Sequence, residues 1–295
     1  MKIGIVIQGP LVTYGQGPNN SNGGFYSLET ILENVERMSK FGFCYIVSTW
    51  VPLNIQEKEM INALENASIR IIQNLTPQIF DPDHRYKQHF GVLRGAEALL
   101  RMYGDVTHLV KIRTDMLMPE VFWEWAYVVS EKADKKLYVS ELMNSPFYQG
   151  DFIYLADREV FLAFMTTVVN YKNRIIHPSI AFDMGIKNCE TRNFVGVYGG
   201  GFFWRIYFLV DFIFRADVVR KHWNEFIGKY VGVMPVSIWV NIKWRERSIG
   251  SFLDSSLFKF DTLELTQNVK TLGNIITLIR DFRTYWVKCL KMWMK

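Results

Sequence analysis

Over the first 140 residues, short β-branched runs alternate with helix-length stretches, and this alternation constrains the fold more than any other feature. Lys2–Ile7, Phe43–Val47, Ser68–Ile72, Thr107–Ile112 and Leu137–Ser140 read as strands. Between them, 28–40, 56–66, 84–102 and a segment from Pro119 to Ser130 read as helices. In the first helix Leu28, Ile31, Leu32, Val35 and Met38 fall on one face, behind a capping Ser27. Strands separated by helices imply βαβ units and a mainly parallel sheet. After residue 150 the pattern loosens. Gly150–Ala156 reads as a strand and 158–170 as a helix, but 171–260 shows no clear period. Leu263–Met294 reads as helical, with a break near Gly273.

Composition excludes several classes. Hydrophobic residues make up 49% of 295 and charged residues 21%, which is globular and not disordered. The net charge of +5 is concentrated in the tail: Lys270, Arg280, Arg283, Lys288, Lys291 and Lys295 face only Asp281. A balanced body with a basic tail argues against a nucleic-acid-binding domain, whose charge would cover a working face. Cations mixed with Trp286, Trp293 and Tyr285 at helical spacing suit an interfacial helix on anionic lipid, or equally a helix docked on the body or another subunit. Cys44, Cys189 and Cys289 are far apart with no C-x-x-C, as for inert thiols in a reducing compartment. Residues 2–8 are too short for the apolar core of a signal peptide. No apolar run reaches the roughly 18 residues of a membrane span. The expected location is cytoplasmic, with the tail resting on the inner face of a membrane.

Familiar motifs fail. Gly15-Gln16-Gly17 lacks the third glycine of a dinucleotide fingerprint and lies beyond the first strand's end. There is no P-loop, no H-E-x-x-H and no G-x-S-x-G. What remains is at the strand ends. Open α/β sheets bind ligands outside the carboxyl ends of their strands. Here those ends are Gln8-Gly9-Pro10, Ser48-Thr49-Trp50 and Arg113-Thr114-Asp115. Strand alternation sends Lys111, Arg113 and Asp115 to one side. Two cations and a carboxylate there suggest a phosphate and metal site for Mg²⁺ or Mn²⁺, against the alternative of a solvated, salt-bridged strand end.

Lys2–Pro10 (KIGIVIQGP), Tyr45–Trp50 (YIVSTW), the stretch from Arg85 to Gly95, Val110–Asp115 (VKIRTD) and Gly150-Asp151-Phe152 occur in an order that resembles the WavE lipopolysaccharide-synthesis family, whose members look like GT-A glycosyltransferases. The resemblance covers roughly residues 1–160. It implies a GT-A-like, Rossmann-type, mainly parallel sheet flanked by helices, with an irregular α+β second half and a C-terminal helix. On that reading 1–262 form one glycosyltransferase domain. Its first half (1–140) would bind the donor and its second (141–262) would face the acceptor. Residues 263–295 would form the basic amphipathic tail.

The resemblance also implies a nucleotide-sugar donor across the strand ends and a glycan or lipid-linked acceptor. Gln8, Gly9 and Pro10 would lie near the nucleoside, with Ser48 and Thr49 beside them. Arg85 and Arg94 would be donor-binding residues on the preceding helix. Arg113-Thr114-Asp115 takes the place of a metal-binding D-x-D, with Arg113 where the first aspartate would be. Either Asp115 and the diphosphate hold a divalent ion, or Arg113 replaces part of its charge. An inverting reaction needs a carboxylate to deprotonate the acceptor hydroxyl, and a retaining one does not. Asp151 is the candidate base and Asp183 the reserve. The implied activity is sugar transfer to lipopolysaccharide, capsule or a related surface glycan. The alternatives are a sugar-nucleotidyltransferase, disfavoured because no Gly-rich basic loop follows the first strand, and a non-catalytic assembly or scaffold protein.

Overall fold

The structure is a computed structural model that describes residues 2–13, 24–52, 54–77, 85–140, 142–143, 152–170, 228–251 and 258–259. In chain order the first half contains β1 (Ile3–Gln8), β2 (Val12–Thr13), β3 (Phe25–Tyr26), α1 (Leu28–Ser39), β4 (Cys44–Trp50), α2 (Ile55–Asn66), β5 (Ile71–Asn74), α3 (Arg85–Met102) and β6 (His108–Arg113). Then come β7 (Met116–Leu117), α4 (Glu120–Ser130), β8 (Leu137–Val139), β9 (Leu142–Met143), β10 (Tyr154–Asp157) and α5 (Arg158–Asn170). The remaining described elements are β11 (Val231–Val233), α6 (Val236–Trp239), β12 (Lys243–Trp244), β13 (Arg247–Ser248), a short 3-10 helix (Ile249–Ser251) and β14 (Phe258–Lys259).

Seven strands form the main sheet in the order β11-β8-β10-β6-β1-β4-β5. β6 lies at its centre, with β1 beside it; β1 is parallel to β4 and β6, and β4 is parallel to β5. All six residues of β1 are buried, which is why it reads as one continuous apolar run. The expected mainly parallel sheet with flanking helices is therefore the observed architecture. One feature departs from simple βαβ progression. β10 enters between β6 and β8 and runs antiparallel to both. β8, the fifth strand of the sequence reading, is thereby moved one place outward and pairs in parallel with β11.

The core is in two parts, one on each face of the sheet. Ile3, Ile5 and Ile7 of β1 pack with Ile31 and Met38 of α1, Met60 and Leu64 of α2, and Phe122 and Trp123 of α4. Val6 packs with Val92, Ala96 and Leu99 of α3 and with Phe161 and Phe164 of α5. Alternation along β1 separates the two sets. The buried Cys44 is a free thiol, and burial pushes its pKa up, consistent with an inert cysteine.

α3 lies unusually close to the sheet because it carries Gly91 and Gly95 one turn apart. A Cβ on Gly95 would stand 2.6 Å from Val6 Cγ1 and 3.0 Å from Ser48 Cβ. Alanine would gain roughly 1 kcal/mol of helix propensity over glycine. Overpacking a core costs about 1–3 kcal/mol, and here the obstructing atoms belong to stiff side chains on central strands. The clash wins. Gly95→Ala is expected to lower the urea midpoint of unfolding, by a net amount near 1 kcal/mol, and an unchanged or raised midpoint would contradict this packing.

No helix among the described residues is long and apolar enough to cross a membrane. Asp151, Asp183 and the tail 263–295 lie outside the described residues.

Candidate functional site

Three strand ends meet at one edge of the sheet. In register, Gln8 of β1 stands between Ser48 of β4 and Arg113 of β6. The segments that follow are tied together. Gly9 N–H donates to the Ser48 carbonyl at 3.2 Å, and Thr114 N–H donates to the Gln8 carbonyl at 3.1 Å. Thr114 Oγ1 donates to the Pro10 carbonyl at 2.8 Å. Gly9 has a φ of 150°, and a Cβ there would lie 2.4 Å from Thr114 Oγ1. Glycine is what lets the β1 and β6 turns touch at this point. The Gln8-Gly9-Pro10 and Arg113-Thr114-Asp115 segments are thus brought together as one surface.

The side chains sort differently from the sequence expectation. Gln8 is buried against α3, where Gly91 leaves room: a Cβ there would be 3.3 Å from Gln8 Cγ. Ser48 is also buried. Its hydroxyl donates to the Gly91 carbonyl at 2.6 Å and accepts from Asn74 Nδ2 at 2.9 Å. Asn74 also donates to the Thr49 carbonyl at 2.9 Å. Ser48 thus fastens α3 to the sheet, while Thr49 is fully buried. Arg94 is exposed on the outer side of α3 and pairs with Glu97 at 3.0 Å. Arg85 begins α3.

Lys111 is buried at 1% exposure, with its Nζ 5.3 Å from the centre of the Tyr154 ring, in the part of the core under α3 and α5. Arg113 instead lies over Phe152 and Trp244, with its guanidinium carbon 5.5 and 5.7 Å from the ring centres. Alternation already fails at Arg113, the last residue of β6, whose guanidinium leaves the face that Lys111 enters, and it does not extend to Asp115 because the strand ends there. Thr114 and Asp115 form a turn into β7. Arg113 meets Asp115 across that turn.

Asp115 is the hub of the site. Its side chain is 2% exposed. Arg113 grips it with two parallel bonds, Nε to Oδ1 at 2.8 Å and Nη2 to Oδ2 at 3.0 Å. Oδ2 also accepts from Trp244 Nε1 at 2.9 Å and from Arg245 Nε at 3.1 Å. The Asp115 carbonyl accepts from the Arg245 backbone N–H at 2.9 Å. Burial alone would push the carboxyl's pKa up. The charge and hydrogen bonds of Arg113, with Trp244 and Arg245, outweigh that and hold it well below the usual carboxylate range.

Trp244 and Arg245 were not singled out by the sequence reading. They come from the 171–260 stretch without period, on the hairpin β12–β13. This hairpin pairs with β7 in a three-stranded sheet, Trp244 opposite Met116. Its two turn residues, Arg245 and Glu246, have φ of 49° and 68°. That is the type I′ pattern, usually supplied by Asn-Gly or Gly-Gly, and its absence from the sequence explains why the hairpin escaped notice. Two non-glycine residues in the left-handed region are costly and persist where the surroundings enforce them. Here the enforcement is the pair of hydrogen bonds that Arg245 donates to Asp115, one from its main chain and one from its side chain.

On the other side, buried Asn34 of α1 holds the segment after Asp115. Its Nδ2 donates to the Met116 carbonyl at 2.8 Å, and its Oδ1 accepts from Met118 N–H at 3.0 Å. Arg37 adds a bond to the Met118 carbonyl at 2.6 Å.

The residues present do not fit a divalent metal at Asp115. Both carboxylate oxygens are engaged by four donors, and two of the three donor side chains are cations. An ion at the roughly 2.1 Å that Mg²⁺ requires would displace those donors and stand beside two fixed positive charges. Like unit charges 4 Å apart repel by about 4 kcal/mol at an effective dielectric of 20, and a dication doubles this. Among the described residues no group of three or more His, Cys, Asp or Glu side chains is arranged to hold a metal.

No family model matches the chain, and no curated protein matches it. Among solved structures, the chain is similar to a glycosyltransferase involved in the glycosylation of the major capsid of PBCV-1, at 11% identity and a TM-score of 0.36, over 68% of this chain and 79% of that one. It is also similar to 4-diphosphocytidyl-2C-methyl-D-erythritol synthase from Anaerococcus prevotii, at 13% identity and a TM-score of 0.39, over 62% of this chain and 81% of that one.

Proposed function

We propose that the chain is a nucleotide-sugar-utilising transferase, specifically a glycosyltransferase that moves a sugar to a growing lipopolysaccharide, capsule or related surface glycan. The observation that carries this reading is the Arg113–Asp115–Arg245 cluster, with two guanidiniums, where β1, β4 and β6 end side by side. Carboxyl ends of parallel strands are where open α/β sheets receive ligands. A departing nucleoside diphosphate needs its developing charge neutralised by groups already in place, and fixed guanidiniums do this without reorganising. The Gly9-Pro10 turn next to the cluster presents backbone to a nucleoside. For an inverting reaction, Asp151 is the proposed base and Asp183 the reserve.

Incubation with UDP-, GDP- and CMP-sugars is expected to give nucleotide release for at least one donor, faster with a glycan acceptor. Pyrophosphate release from a nucleoside triphosphate and a sugar phosphate, with no donor turnover, would instead indicate a nucleotidyltransferase. Binding without turnover of any kind would indicate the non-catalytic reading.

The basic tail is the proposed contact with a membrane that carries a lipid-linked acceptor. Each Lys or Arg near an anionic surface contributes about 1 kcal/mol, screened over roughly 8 Å at physiological salt. The full chain is expected to sediment with anionic vesicles at low salt and to be partly released at high salt. Removal of 270–295 should abolish that binding and leave donor hydrolysis largely intact. A truncated chain that stays folded and binds vesicles as before would place the contact elsewhere.

A further inference from the structure

We propose that the outward face of α4 is the docking site of this chain's own C-terminal segment, residues 275–293, which lie outside the described residues. The apolar side of that segment covers Val121, Trp125 and Val128, and its cationic side is left facing outward. The inference does not rest on the nucleotide-sugar reading. It assigns the apolar side of the tail to the body of the protein and leaves the cations for the membrane contact proposed above.

Three observations lead to it. The first is that α4 is apolar on both sides. Phe122, Trp123, Ala126 and Val129 are buried in the core, yet Val121 and Val128 are 44% and 55% exposed, Tyr127 is exposed and Trp125 is half-buried. Val121, Trp125 and Val128 stand four and three residues apart, so they form one stripe. A helix that is apolar all round is a buried one, and a contiguous exposed apolar patch marks an interaction surface. The second is that the tail carries a matching stripe. Ile275, Leu278, Phe282, Trp286, Leu290 and Trp293 recur at spacings of three and four, and Arg280, Lys288, Lys291 and Lys295 fall on the opposite side of a helix. The charges at the margins are complementary. Glu124 and Glu131 flank the stripe of α4, which has no basic residue, and Arg283 stands at the edge of the tail's stripe. The third is reach. The Trp125 ring lies 5.9 Å from the ring of Tyr138 in β8, and Leu142 of β9 pairs with Lys259 of β14. The steps from Tyr138 to Leu142 span at most about 14 Å, and residues 260–274 can span about 50 Å. The chain therefore leaves β14 near the exposed stripe, with length to spare.

The test uses the full chain without lipid. It compares the rate at which a maleimide labels Val128→Cys, in the stripe, with the rate at Ile55→Cys, which replaces an exposed residue at the start of α2. Peptide mass spectrometry separates each new cysteine from Cys44, Cys189 and Cys289. Both are small changes at exposed positions, so the fold is not at stake. A tail that is docked in nine molecules of ten or more slows labelling at Val128→Cys about tenfold or more relative to Ile55→Cys. Adding Phe282→Asp, which puts a charge in the tail's apolar stripe, should restore the faster rate. Equal labelling of the two cysteines in the full chain would overturn the inference. So would slow labelling at Val128→Cys that Phe282→Asp leaves unchanged, and a doubled mass in size-exclusion chromatography would then assign the face to a second copy of the chain. Slow labelling only when anionic vesicles are added would assign the face to lipid and overturn it as well.

Discussion

Asp115→Ala is expected to be the most damaging single substitution at the strand-end site, costing about 3–5 kcal/mol of stability as well as ligand binding. Removing one partner of a buried ion pair strands the other, and here two guanidiniums and an indole N–H lose their common acceptor. The hairpin then loses both the charge that holds Arg245 and the constraint that keeps Arg245 and Glu246 at positive φ. Asp115→Asn, which retains the shape and part of the hydrogen bonding, should cost less. Denaturant titration distinguishes the two, and a midpoint for Asp115→Ala within about 0.5 kcal/mol of wild type would show that the cluster is not structural. The same pair has a consequence for acid stability. A carboxyl whose pKa is lowered on folding adds stability that is complete above its unfolded value near 3.9, and that is lost as the pH falls towards the folded value. Wild type should therefore lose stability steeply below about pH 4, and Asp115→Ala should show a shallower acid limb.

Asn34→Leu is the second large effect. Leucine shares the branched outline of asparagine, though it is larger, and would sit among Ile31 and Met38 on the buried face of α1. It cannot bond the Met116 carbonyl or the Met118 N–H, both of which Asn34 serves from inside the core. Each buried polar group left without a partner costs roughly 1–3 kcal/mol, against at most about 1–2 kcal/mol gained by the added apolar surface. A net loss of about 1–4 kcal/mol is expected. Because β7 pairs with β12, the damage should reach the Arg245 hairpin and weaken nucleotide-sugar binding too. A stable Asn34→Leu protein with unaltered binding would separate α1 from the site.

The contrast between what could and could not be read beforehand has a physical basis. β1, β4 and β6 are buried on both faces, so each carries a run of apolar residues, and their positions were legible to within three residues. The helices between them carry their burial at helical spacing. The place and direction of β10 were not legible, because strand pairing is a long-range choice that leaves no local period. The hairpin Lys243–Ser248 was invisible for a different reason: its strands are two residues long and its turn has no glycine or asparagine. At the strand ends the residues themselves were legible, but that α3 covers the face to which Gln8 and Ser48 point was not. The spacing of Gly91 and Gly95 was the available signal for that close approach. Asn34 was also detectable, as a polar residue on the stripe formed by Ile31, Val35 and Met38.

The central claim is that the ends of β1, β4 and β6 bind the diphosphate of a nucleotide sugar through Arg113. Equilibrium titration of the full chain with UDP- and GDP-sugars, wild type beside Arg113→Ala, tests it most directly. Saturable binding of at least one nucleotide sugar by wild type is expected, with affinity reduced about tenfold or more in a folded Arg113→Ala protein. Equal affinity in the two proteins, or no binding of any nucleotide sugar by wild type, would contradict it.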